Sequence, residues 1–318
     1  MLQALRFVQG AVAKKDFVAA LTHFRIEGGK VIGYNGALAL CGPIDLDLEI
    51  TPRAVPFIRA IQACKDETIT MHVTNTGRLS VKSGNFKAFI DCIAEPYPII
   101  APEGIEVKLD GEFLKTIKTL APFIAEDASR PWARGILFRG PSAYATNNVV
   151  IVEHWLGFNF PVEVNVPKSA VTELLRIDEE PERLQVSENN ITFHFSGGRW
   201  LRTQTYDLNW PDVAKILDRE SNSCDIPPGF FTALEDLTHF VGEAGGILFQ
   251  ADGAMTTSST EGEGASVAVE PFGATGIYNI EQLKRLIDVA ERADFSISPA
   301  MFFGDRLRGA IVGMRITV

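Results

Sequence analysis

The sequence has no run of about 20 uninterrupted apolar residues, so no segment reads as a membrane-crossing helix. Cysteine is scarce: Cys41, Cys64, Cys92 and Cys224, none in a CxxC pair and most with apolar neighbours. That pattern points to reduced thiols in a cytosolic protein rather than a disulfide framework. The histidines (His23, His72, His154, His194, His239) are scattered, with no HExxH-type spacing, so no metal is expected. There is no GxxxxGK[ST] loop, no GxGxxG after a first strand and no GxSxG elbow, and no cofactor is expected. The acidic, glycine-containing stretch EGEG (261–264) would repel phosphate rather than cradle it. The pair Glu179–Glu180 lies in polar, loop-like sequence and reads as solvated rather than catalytic. The expectation is a protein without catalysis; an unrecognised hydrolase stays open as an alternative, to be tested by turnover of generic substrates.

Basic residues are also in deficit. Lys and Arg number 30 against 40 Asp and Glu, a formal charge of −10, which excludes simple coating of nucleic acid by an overall basic surface. It leaves room for segregated charge, with cations gathered on one surface and acids on the others. At 318 residues, 46% hydrophobic and 22% charged, the chain is globular and long enough for two or three domains. The opening MLQALRFVQGAVAKKDF lacks a basic leader and a small-residue cleavage site, and reads as an amphipathic helix rather than a signal peptide.

What is present is an order of elements that recurs. Residues 2–13 are helix-like, 22–50 are strand-rich with turns at Gly28–Gly29 and Asn35–Gly36, 51–65 form a second helix, and 68–93 are strands. The order repeats as helix 111–124, with Phe113, Leu114, Ile117, Leu120 and Ala121 on one face, then strands 133–155, helix 167–177 and strands 183–207. It repeats again as helix 227–242 (Phe230, Leu234, Leu237, Val241), strands, helix 279–293 (Leu283, Leu286, Ile287, Ala290) and closing strands. The second helices begin near 53, 167 and 279, intervals of 114 and 112 residues. The acidic segments 101–110 and 218–225 read as linkers, giving domains 1–103, 104–222 and 223–318. The fold class is α+β, each unit having two helices packed on antiparallel sheet. Units joined edge to edge would curve into a closed ring with no free sheet edge. A generic α+β protein whose element order coincides remains the alternative.

Particular passages resemble a known family. GRLSVKSGNFKAFI is similar to the closing strands of the first domain of bacterial DNA polymerase III β-subunit clamps, and RPWARGILFRGPSAYATNNVVIVEHW to the opening of their second domain. VNVPKSAVTELLRI resembles their Pro-Lys helix, YDLNWPDVAKIL their aromatic-Pro-Asp passage, and IVGMRI their terminal Pro-Met-Arg-Leu. The resemblance extends over essentially the whole chain. Asn147 and Asn148 replace the family's Asp-Gly turn and Gly313 its terminal proline, and the chain is shorter than typical members, which marks a divergent member of bacterial or phage origin.

The resemblance implies a DNA sliding clamp: a head-to-tail homodimer with pseudo-six-fold symmetry encircling double-stranded DNA without reading its sequence. A clamp loader would open the ring and a DNA polymerase would be tethered to it, in the cytoplasm, with no membrane partner. Candidate phosphate contacts are Arg6, Lys14, Lys15, Arg53, Arg59, Lys65, Lys115, Lys118, Lys168 and Arg176. The third repeat's Lys284, Arg285 and Arg292 are weaker candidates, because Glu281–Arg285 and Asp288–Arg292 would pair locally at i,i+4. Carried over from the family, the partner-peptide pocket would comprise Thr146, Asn148, Val149, Val150, Ile151, Met314, Arg315 and Ile316. The dimer contact would bring Phe240 and Val241 against Phe89 and Ile90. The competing reading for each is an ordinary solvated helix face or a strand core. A ring-less scaffold that binds proteins alone is the other non-enzymatic alternative.

Overall fold

The structure, a computed structural model, describes residues 1–109, 112–127, 129–206, 209–257, 263–273 and 275–315. Its helices are α1 (Leu2–Val8), α2 (Ala54–Ala63), α3 (Phe113–Leu120), α4 (Lys168–Ile177), α5 (Ala214–Leu217), α6 (Phe230–Leu237) and α7 (Ile280–Lys284). The first-half strands are β1 (Phe24–Glu27), β2 (Lys30–Tyr34), β3 (Leu38–Pro43), β4 (Thr70–Val73), β5 (Leu79–Ser83), β6 (Phe86–Ile90), β7 (Ile105–Lys108), β8 (Gly135–Thr146) and β9 (Val150–Pro167). They continue as β10 (Arg183–Val186), β11 (Asn190–Phe195), β12 (Arg199–Gln204), β13 (Cys224–Asp225), β14 (Gly246–Phe249), β15 (Ala254–Thr256) and β16 (Ser266–Ala268). The last are β17 (Gly276–Asn279), β18 (Arg292–Asp294), β19 (Ala300–Gly304) and β20 (Leu307–Ile311). All the described strand pairs are antiparallel, which gives the α+β class.

The described chain divides into two compact units: Met1–Leu114 with Ser169–Thr205, and Lys115–Lys168 with Tyr206–Val318. The first contains a seven-stranded sheet ordered β1-β2-β3-β12-β11-β10-β7 and a three-stranded sheet β4-β5-β6. Strands from distant parts of the sequence meet where Leu38–Cys41 of β3 pair with Trp200–Thr203 of β12. Helix α1 buries Leu5, Phe7 and Val8 against β2 and β3. The approach is close enough that a Cβ on Gly33 would lie 2.6 Å from the Val8 carbonyl, so no larger residue fits there. Helix α2 buries Ala54, Phe57, Ile58, Ala60 and Ile61, and α4 buries Ala170, Val171 and Leu174. Phe7 meets Phe195 edge-on at 6.1 Å, and Phe113 meets Phe193 at 5.9 Å. Each such fully buried ring contributes roughly 1.5–3 kcal/mol.

The second unit contains a six-stranded sheet β13-β18-β19-β20-β9-β8 and a four-stranded sheet β16-β15-β14-β17. Again distant segments join: Val150–His154 of β9 pair with Leu307–Ile311 of β20. The interior of the second unit includes a cluster of Phe230, Phe249, Phe272, Tyr278 and Phe295, whose ring centroids lie 5.2–6.0 Å apart. Burial pushes the Tyr278 phenol up to about 12.

Several expectations are corrected. Residues 279–293 are not one helix. The helix stops at Lys284, Asp288 takes a left-handed φ of 66°, and Arg292–Asp294 enter the sheet beside β19. The i,i+4 pairs therefore do not form: Glu281 pairs with Lys284 at 3.7 Å, and Arg292 with Asp225 at 3.8 Å. Segment 101–110 is not all linker, since Ile105–Lys108 pair with β10. Strand β9 runs on to Pro167, and β17 is an additional strand. Glu179 and Glu180 are engaged rather than merely solvated. Glu179 pairs with Arg199 at 2.6 Å, and the Glu180 carboxylate accepts from the amides of Phe113 and Leu114 at 2.7 and 2.9 Å, capping α3. The cysteines are free thiols, and Glu261 and Gly262 of EGEG lie outside the described residues. Among the described residues no helix is long and apolar enough to cross a membrane, and no three acidic, histidine or cysteine side chains cluster to hold a metal.

Candidate nucleic-acid and partner interfaces

In the first unit the basic residues fall on or beside three helices. Arg6 on α1 and Arg59 on α2 are exposed, on the faces opposite the buried positions of those helices. Arg53 immediately precedes α2, Lys65 follows it, and Lys14 and Lys15 follow α1; all are exposed. None of these six forms an ion pair with a described residue. Arg176 on α4 is different. It pairs with Glu173 at 2.6 Å and donates to the carbonyls of Arg6 and Phe7 at 3.3 and 2.7 Å, so it fastens α4 to the end of α1. In the second unit Lys115 and Lys118 lie exposed on α3, with Lys115 3.8 Å from Asp305, and Lys168 pairs with Glu126. The hydrogen bond from Lys168 holds the Glu126 carboxyl below its ordinary pKa.

The charge is segregated by helix. Helices α1 to α4 carry Arg6, Arg59, Lys115, Lys118, Lys168 and Arg176, and Glu173 is their only carboxylate. Helices α6 and α7 carry Glu235, Asp236 and Glu281 against Lys284 alone. Arg285 donates to the Pro122 carbonyl.

The turn 145–148 is built by side chains. Asn147 Oδ1 accepts from the amides of Val149 and Val150 at 3.1 and 2.8 Å, and its Nδ2 donates to Gln282 at 2.6 Å. Asn148 adopts φ 73°, a left-handed conformation that asparagine tolerates where glycine is usual. Arg130 donates to its Oδ1 at 2.9 Å. Thr146 and Val150 are buried, while Val149 is exposed and adjoins Val312, whose amide donates to the Val149 carbonyl at 2.9 Å. Ile151 belongs to an apolar cluster with Leu137, Trp210, Val213, Leu217, Met301 and Ala310, flanked by half-buried Trp132, Tyr144 and Ile216. Trp132 and Trp210 rings lie 5.1 Å apart, and the buried Trp210 indole N–H meets no acceptor among the described residues.

Met314 does not join this cluster. Its amide donates to Ile277 at 2.7 Å, and with Arg315 it lines a separate depression on β14, β15 and β17. Ile316 lies outside the described residues. Trp132, Trp210, Val213 and Ile216, which pack with Ile151, and Val312, which adjoins Val149, are not among the residues expected from the sequence, although Arg-Pro-Trp and Trp-Pro-Asp mark two of them.

Of the expected dimer residues, Phe89 and Phe240 are exposed at 46% and 55%, and Val241 is half-buried. Ile90 is buried within its sheet, so Phe89 carries most of the exposed apolar surface of β6. Arg78 and Lys87 sit over the Phe89 ring at 5.0 and 4.8 Å.

With sheets joined through β3–β12 and β9–β20 and helices packed on them, the chain superposes on the DNA polymerase sliding clamps over nearly its whole length and has their fold. No protein-family model and no curated protein matches the sequence. Solved structures match over nearly its full length. The β sliding clamp of Caulobacter crescentus superposes with TM-score 0.84 at 19% identity, and the Pseudomonas aeruginosa DNA polymerase III subunit beta bound to griselimycin with 0.83 at 20%. The Helicobacter pylori β clamp bound to a DNA ligase peptide gives 0.81 at 17%; each match covers 99% of this chain and 97% of the other.

Proposed function

We propose that this protein is a sliding clamp: a non-catalytic, cytoplasmic ring of two copies that encircles duplex DNA and tethers a polymerase after loading by a clamp loader. Domains 1–103, 104–222 and 223–318 repeat in each copy. The observation that carries the reading is the nearly acid-free set of basic helices α1–α4 in a chain of net charge −10. Cations that meet only phosphate oxygens attract DNA without fixing a register on it, as sliding requires. The acidic balance of α6 and α7 supports a reading in which the first two repeats make most of the DNA contact.

Ring closure follows from open sheet edges. Among the described residues, β6 has a partner on one side only and carries Phe89, while β16 is an edge strand packed near α6, whose end leads to Phe240. Arg78 and Lys87 beside Phe89 complement exposed Glu263 and Glu270 flanking β16. Pairing these edges between two copies leaves neither exposed.

The partner groove is the surface at Trp132, Trp210, Val149 and Val312. Apolar peptide residues would anchor there, against the rims of Trp132, Val149 and Val312. The Helicobacter pylori clamp bound to a ligase peptide supports a peptide as occupant. The test is retention on DNA. Protein loaded on closed circular duplex should stay bound through gel filtration and be lost once the circle is linearised. Equal loss from both forms overturns the ring.

A further inference from the structure

The sheet face that carries Ile151 continues beyond it. Along β9, Ile151, Glu153 and Trp155 alternate onto one face, while His154 turns to the other and meets Thr116 of α3 at 3.2 Å. Across the strands, Ala310 lies opposite Ile151 and Arg308 opposite Glu153. The Trp155 amide donates to the Arg306 carbonyl at 2.8 Å, and the Arg306 guanidinium lies 5.8 Å from the indole centroid.

Three features make this end of the face unusual. Trp155 is 51% exposed, a large apolar surface with nothing described upon it. Arg306 is exposed and pairs with no described carboxylate, whereas its neighbours are neutralised: Arg308 by Glu153 at 2.6 Å and Asp218 at 2.8 Å, Asp305 by Lys115 at 3.8 Å. A depression of about 360 Å³ lies between them, lined by Trp155, Arg306, Arg308, Glu153 and Phe303. Phe303 also packs against the Ile151–Trp210 cluster, so the depression and that cluster share Phe303 as a wall.

We propose that the Trp155–Arg306 depression is a second subsite of the peptide groove, which takes an acidic side chain about four positions from the apolar anchor. The proposal rests on the reading of the groove as a peptide site. Ile151 and Trp155 are four residues apart, roughly 13 Å at about 3.3 Å per strand residue. An extended peptide lying along β9 has the same rise, so a residue about four positions from the anchor reaches the indole. Its carboxylate pairs with the Arg306 guanidinium, which no described carboxylate neutralises, and its methylene packs on the edge of the ring. The surface is on the opposite side of β9 from α3, whose lysines are assigned to DNA, which favours a peptide over a nucleic acid.

The experiment uses the full chain and synthetic peptides with a Leu-Phe anchor, each carrying Asp or Asn four residues before or after it, with binding read by fluorescence anisotropy. In one of the two directions the Asp peptide should bind about ten-fold tighter than its Asn twin. Arg306→Ser should abolish that difference and Trp155→Ala reduce it, both leaving the anchor-only peptide's affinity unchanged. Equal binding of Asp and Asn peptides in both directions, with the anchor still bound, overturns the subsite and leaves the groove standing. So does a loss confined to a single-stranded oligonucleotide in the two variants. If no anchor peptide binds, and Trp210→Ala changes nothing, the groove reading itself falls and the subsite with it.

Discussion

Arg176 reaches across to the main chain at Phe7, its Nη2 donating to the carbonyl at 2.7 Å. Its other donors meet Glu173 and the Arg6 carbonyl, so a side chain expected to meet phosphate holds two helices together. Arg176→Ala should therefore lower unfolding free energy by about 1–2 kcal/mol, the scale for hydrogen bonds made by a charged donor discounted for its partial exposure to solvent. It should change the salt dependence of DNA retention less than substitutions on α3. Chemical denaturation and retention assays on the same variant check both.

Charge reversal at Lys115 and Lys118 should reduce retention on closed circles. The slope of log retention against log salt should flatten by about one unit for each phosphate that the variant no longer neutralises. If variant and parent release DNA identically as salt rises, α3 does not face the duplex.

The assembly should sediment at twice 34.8 kDa at micromolar concentration. Phe89→Asp or Phe240→Asp should shift it to the single-chain mass, because a charge buried in an apolar contact is costly. A parent that remains a single chain at every concentration rules out a ring that assembles without the loader.

Trp210→Ala should weaken binding of an anchor peptide about five- to thirty-fold, the effect of losing roughly 1–2 kcal/mol, with dimer mass unchanged. Met314→Ala should have the smaller effect, since Met314 packs near Gly246 and Ile277 rather than beside Ile151. The reverse ranking would move the anchor to the β14–β17 depression.

Acid stability should depend on Glu153. Burial alone would raise its pKa, but hydrogen bonds from Ser142, Arg308 and Tyr144 outweigh it, and the carboxyl lies below its ordinary value. The resulting stabilisation is present above the unfolded-state pKa of about 4.3 and is lost as pH falls through the lower folded value. Glu153→Gln should flatten that part of the acid-denaturation curve. An unchanged curve would mean the network stays intact when protonated.

The sequence by itself determined the helix cores and the charge asymmetry, because both depend on residue type and local period. Phe113, Leu114, Ile117 and Leu120 recur at helical spacing and are buried, and Lys115 and Lys118 between them are exposed. The Asn147–Asn148 turn was equally legible, since its hydrogen bonds close within three residues. Local period misled where tertiary pairing overrode it. The apolar spacing of 279–293 continues, but the sheet claims Arg292–Asp294 and the helix ends early. Segment 105–108 looks like an acidic linker until β10 supplies a partner. Only the tertiary structure decided that Trp132, Trp210 and Ile151 gather, that Met314 lies elsewhere, and that Trp155 and Arg306 share one face. Those relationships depend on strand register and long-range pairing between β9 and β20, which no local pattern encodes.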